Sequence, residues 1–97
     1  MNLTEEQLDE IYAEVQEMAG LFFSPEDIAV NLGYNEDQTL DFVQAVELKL
    51  GLQIVTAYLS GRLKSEIELR KSIKQAALNG SNPAQQMMLN YQKESQK

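Results

Sequence analysis

A helix stop and a helix start stand almost back to back in the run Asn79-Gly80-Ser81-Asn82-Pro83. Asn79-Gly80 reads as a C-terminus, because glycine accepts the left-handed conformation that ends a helix. Asn82-Pro83 reads as an N-terminus: a capping side chain, then a ring that fixes φ at the first helical position. A chain punctuated in this way must fold a long helix back along a short one.

The same punctuation runs upstream. Thr4, with Gln7 three residues on, forms a capping box and opens a first helix that ends near Gly20. Its apolar positions are Leu8, Ile11, Tyr12, Val15, Met18, Ala19 and Phe22, at spacings of three and four. Ser24 and Pro25 open a short second helix, with Ile28, Ala29 and Leu32 inward and Gly33 as its stop. A third helix follows Asn35, with Gln38 three residues on and Leu40, Val43, Val46 and Leu50 on its inner face until Gly51 interrupts. The fourth is predicted from about Leu52 to Asn79, with Val55, Leu59, Leu63 and Ile67 on one stripe and Leu69, Ile73, Ala76 and Ala77 on another. Gly61 inside it costs about 1 kcal/mol against alanine, which points to close packing or a bend. A fifth helix carries Ala84, Met87, Met88 and Tyr91 on one face, with a frayed polar tail after Gln92.

Composition removes several classes of function. The 97 residues include no Cys, His or Trp, so the commonest general base and the commonest metal ligands are missing. No acids follow the alternating spacing of a calcium loop. The expectation is therefore no enzyme, no cofactor and no metal. The longest apolar runs fall far short of the ~20 residues that span a bilayer. The acidic start, Met1-Asn2-Leu3-Thr4-Glu5-Glu6, does not read as a secretion signal, so a cytoplasmic location is expected. Net charge is −7 but uneven: residues 1–50 hold twelve acids and one base, residues 51–97 three acids and seven bases. Such a split suggests that acidic helices of one subunit lie near basic residues of the next.

Helices two and three have the lengths of a helix-turn-helix, with a small residue, Ala29, where they approach and Gly33 at the turn. With Leu40 rather than Thr39 as the apolar position, the turn reads as about one residue longer than the usual pattern. The plain alternative is a three-helix packing unit that reads no groove. The exposed residues of helix three include Glu36, Asp37 and Asp41, which repel phosphate. Only Gln38, Thr39 and Gln44 are suited to base edges, with Lys49 the nearest cation. A second basic set, Arg62, Lys64, Arg70, Lys71 and Lys74, lies on helix four, where Glu66 and Glu68 neutralise part of it.

Three passages in order carry a family resemblance: Ala57-Tyr58-Leu59-Ser60-Gly61-Arg62, then Ala77-Leu78-Asn79-Gly80-Ser81-Asn82-Pro83-Ala84-Gln85, then Met88-Leu89-Asn90-Tyr91. With the helix-turn-helix-like segment before them, they resemble the small subunit of tailed-phage terminases, over about residues 22 to 91. The resemblance implies a ring-forming homo-oligomer that engages double-stranded viral DNA and hands it to a large ATPase-nuclease subunit. It also implies the host-cell cytoplasm as its location.

The expected architecture is all-α: a helix-turn-helix-like domain over 1–50, then a long-helix hairpin over 51–97 that assembles subunits. The expected function is a DNA-packaging adaptor. Nucleic acid is expected at Gln38, Thr39, Gln44, Lys49, Arg62, Lys64, Arg70, Lys71 and Lys74, weakly and through the oligomer. The oligomer interface is expected at Val55, Leu59, Leu63, Ile67, Leu69 and Ile73. A rival reading keeps the helix-turn-helix shape but uses it to bind protein.

Overall fold

Four of the five helices open on a side-chain cap in the computed structural model, which describes residues 3–96; Met1, Asn2 and Lys97 lie outside the described residues. Helix α1 spans Glu5–Gly20, α2 Pro25–Asn31, α3 Glu36–Glu47, α4 Gln53–Leu78 and α5 Asn82–Ser95, and no strand occurs among the described residues. Thr4 Oγ1 accepts from the Gln7 N–H at 3.1 Å, and Gln7 Oε1 accepts from the Thr4 N–H at 2.9 Å. Asn35 and Gln38 make the same reciprocal pair at α3. Ser24 caps α2 and Ser81 caps α5. The last cap differs from the spacing argument by one residue: Ser81, not Asn82, is the cap, and Pro83 sits second in the helix. Proline is tolerated there because first-turn N–H groups have no partner inside the helix. The end of α5 at Ser95 also takes the helix past Gln92, where the sequence predicts fraying.

Helices α1 to α4 end in one pattern. The third residue past each helix donates to the carbonyl five residues back, as in Phe23 to Met18, Tyr34 to Ala29, Leu50 to Ala45 and Ser81 to Ala76. Each such end needs a left-handed residue. Gly33 (φ 80°) and Gly80 (φ 98°) supply two, but Phe22 (φ 67°) and Lys49 (φ 51°) supply the others. Helix α1 ends at Gly20 and Gly51 lies between α3 and α4, as the sequence suggests, but neither glycine supplies the left-handed residue. Phe22, assigned by spacing to the inner face of α1, lies beyond the helix and is exposed. A left-handed conformation costs a side-chain-bearing residue about 1–2 kcal/mol, partly offset in a glycine by greater unfolded-state freedom. Lys49→Gly is accordingly expected to stabilise the protein by about 0.5–1 kcal/mol, read as a raised midpoint in urea unfolding; a lowered midpoint would mean that the lysine side chain is itself held.

Two compact units divide the chain, Met1–Ser65 and Glu66–Lys97, with α4 running through both. The first unit therefore extends past residue 50 and takes in the opening turns of α4. Its core joins Val15 and Ala19 of α1, Ile28 and Ala29 of α2, Phe42, Ala45 and Val46 of α3, and Val55, Ala57 and Tyr58 of α4. Tyr34, Phe42 and Tyr58 stack edge to face in series, each pair 6.4 Å between ring centres. Helix α3 is thus turned from its predicted face. Phe42 and Ala45 join Val46 inside, Thr39 is half-buried, and Leu40 and Leu50 are exposed. With Thr39 rather than Leu40 inward, the extra turn residue inferred from the sequence is not needed.

Helix α4 meets α1 through Gly61. A Cβ there would stand 2.1 Å from the Gln16 carbonyl oxygen, so only glycine lets the two backbones touch. A Cβ on Gly20 would meet Ser65 Oγ at 2.8 Å and the Gly61 carbonyl oxygen at 3.4 Å. Gly20 thus keeps its place for packing, while Phe22 turns the chain.

The second unit is an α-hairpin. Arg70 ties it together: its Nη2 donates to Glu66 Oε1 at 2.9 Å, and its guanidinium carbon lies 3.9 Å from the centre of the Tyr91 ring. Gln85 Nε2 donates to the Ala77 carbonyl across the turn. Among its described residues only Ala84 is fully buried.

Candidate interaction surfaces

Helix α3 offers a poor surface to DNA. Gln38 spends its Oε1 on the cap, which fixes the carboxamide at the helix start. Thr39 is half-buried, and Gln44 is exposed. Lys49 is exposed too, beyond the helix end. The remaining outward residues are Glu36, Asp37, Leu40, Asp41 and Glu47, and α3 contains no base at all. The face is a ridge of acid and apolar side chains, with Glu36, Leu40, Val43 and Glu47 at helical spacing on one line.

The basic set on α4 separates into two kinds. Both arginines are occupied. Arg62 lies over the Phe22 ring at 5.2 Å and donates to the Tyr58 hydroxyl at 3.3 Å, while Arg70 is held by Glu66 and Tyr91. A cation on an aromatic face contributes about 0.5–2 kcal/mol, so these arginines hold the fold rather than wait for phosphate. Lys64, Lys71 and Lys74 are exposed, and Lys71 makes only a loose 4.0 Å contact with Glu68.

The residues expected at an oligomer interface also divide. Val55 is fully buried in the first unit, so no partner can reach it; it belongs to the core. Leu59, Leu63, Ile67 and Leu69 are exposed, and Ile73 is half-buried within the hairpin. Sequence reasoning missed Leu40, Leu78 and Leu89, which are 61%, 72% and 51% exposed. The signal was present for Leu78, which stands next to the Asn79-Gly80 pair that closes the hairpin. Lys74, Ala77, Leu78, Met88 and Leu89 help to line an open apolar groove of about 420 Å³ on the hairpin.

A further groove in the first unit is lined in part by Tyr34, Gln38, Phe42 and Leu52. Burial, and then the neighbouring Tyr12, raises the Tyr34 hydroxyl above its ordinary value of 10.0. It therefore stays protonated and offers a hydrogen bond, not a charge. Among the described residues no three acids converge as metal ligands would, and no helix is long and apolar enough to cross a membrane. Comparison with protein families, with characterised proteins and with solved structures finds no match to this chain.

Proposed function

We propose that this protein is a non-enzymatic assembly adaptor of the terminase small-subunit kind: a homo-oligomer, ring-forming by resemblance, that gathers DNA and a large packaging subunit. The α2–turn–α3 segment is its helix-turn-helix-like module, and the hairpin builds the oligomer. One observation carries the assembly part of this reading. Among its described residues the Glu66–Lys97 hairpin buries only Ala84, while Ile67, Leu69, Leu78, Met87 and Leu89 stand exposed. Isolated helices of this length are marginal in water, and their stability comes from burying an apolar face. A second copy supplies that burial.

DNA contact in this reading is weak, needs the oligomer, and runs through Lys64, Lys71 and Lys74 repeated around it. Specific observations favour a protein-binding role for α3: its acids and the capped Gln38. Light scattering at tens of micromolar is expected to give a mass several times the chain mass of 11.0 kDa, and a monomer would refute the assembly reading. Duplex DNA titrated at two salt concentrations tests the remainder. Lys64→Ala with Lys71→Ala and Lys74→Ala is expected to flatten a salt slope of about −0.9 per phosphate neutralised, while Gln38→Ala with Thr39→Ala leaves it unchanged. Loss of sequence preference in the second variant would restore α3 as a DNA reader. Absence of any binding at low salt would leave the protein-adaptor function.

A further inference from the structure

The hairpin groove has a complementary surface elsewhere on the same chain. Helix α3 presents Leu40, 61% exposed, on a ridge flanked by Glu36 and Glu47. The groove presents an apolar floor that includes Ala77, Leu78, Met88 and Leu89, with Lys74 on its lining. Among the described residues Lys74 makes no ion pair, whereas the hairpin acids Glu66 and Glu68 are each paired within their own helix. We propose that the α3 ridge of one copy seats in the hairpin groove of the next, with Leu40 on the apolar floor and Glu36, one turn away on the same line, toward Lys74. The proposal rests on the assembly reading above and names the surface that completes the hairpin.

Charge selects this pairing over the symmetric ones. Two α3 ridges set face to face would bring four carboxylates against four, with no base on either helix. Like charges across an interface oppose association. The first unit as a whole holds twelve acids and three bases, the second three acids and five bases. Ridge to groove joins opposite charges and covers apolar surface on both sides, in the helix-in-groove manner. Because the two surfaces differ, the contact is head-to-tail. It leaves a free ridge at one end and a free groove at the other, so assembly proceeds until a ring closes or a filament extends.

The test uses two full-length variants, each spoiling one surface. Leu40→Lys puts a cation where Lys74 repels it, and Leu89→Glu puts an acid where the ridge acids repel it. Both sites are more than half exposed, so helix content by circular dichroism should match the wild type. Each variant alone is expected to lose the oligomer, with a dissociation constant raised at least about thirtyfold, the effect of a strong interface residue. Mixed, they are expected to form a 1:1 heterodimer of twice 11.0 kDa, because one intact ridge and one intact groove remain. Leu40→Gln and Leu89→Gln repeat the experiment if either charged variant loses helix. An oligomeric wild type whose Leu40 variants keep its full mass would overturn this contact alone and send the ridge to a different protein. Two monomeric variants that fail to pair on mixing would also overturn it. A monomeric wild type would refute the assembly reading and this contact together.

Discussion

Gly61→Ala is expected to lower the melting temperature by about 12–24 °C, although helix propensity alone argues for the opposite. Alanine is favoured over glycine in a helix interior by about 1 kcal/mol. The added Cβ, however, would stand 2.1 Å from the Gln16 carbonyl oxygen, and the obstacle is backbone, which no rotamer change removes. Helices α1 and α4 must move apart there. Overpacking of this kind costs about 3 kcal/mol, and each 1 kcal/mol corresponds to about 4–8 °C in a domain of this size. Gly20→Ala is the internal comparison. Its Cβ meets the Ser65 hydroxyl, which can rotate, so its cost is smaller and Ser65→Ala should relieve part of it. Thermal unfolding by circular dichroism reads all three. A raised melting temperature for Gly61→Ala would mean that α1 and α4 do not touch at this point.

Phe42→Ala is expected to cost about 3–5 kcal/mol, the range for deleting a buried aromatic ring. Phe42 is only 4% exposed and stands between Tyr34 and Tyr58 in the edge-to-face series, so its loss leaves both tyrosines unsupported. Leu40→Ala is expected to cost about 0.5 kcal/mol or less, and Leu50→Ala little more, since Leu40 lies mostly, and Leu50 nearly half, in solvent. Urea unfolding at a dilution where association adds nothing measures the three on one scale. The order decides the rotation of α3. If Leu40 proved the costly position and Phe42 the cheap one, the helix would present the face that its leucines and valines suggest.

Helix boundaries were the legible part of this chain. Thr4, Ser24 and Asn35 stand as caps where the sequence reads them, and α4 begins and ends within a residue of its expected limits. These features are local: a cap needs one side chain and an N–H two or three residues on. The faces were less legible. On α4 the expected stripe was Val55, Leu59, Leu63 and Ile67; Val55 is buried, but its buried companions are Ala57, Tyr58 and Gly61 rather than the large residues of that stripe. Close helix contact rewards small residues, and a periodicity count weighted by side-chain size looks past them. The basic residues show a similar limit. Lys64, Lys71 and Lys74 reach solvent as charge patterning suggests, but Arg62 and Arg70 lie on rings contributed from outside α4.

The sequence by itself determined an all-helical chain and the order, number and approximate limits of its helices, because caps, glycine ends and helical spacing act within a few residues. The tertiary structure decided which side of each helix is inside. It placed Phe22 and Lys49 in the left-handed region while Gly20 served packing, and it left Leu40 of α3 and the leucines of the hairpin in solvent. Those outcomes depend on what approaches from a distant part of the chain. Contact with a backbone carbonyl, stacking on a remote ring or burial beneath another helix is a property of two segments together, and neither segment encodes it alone.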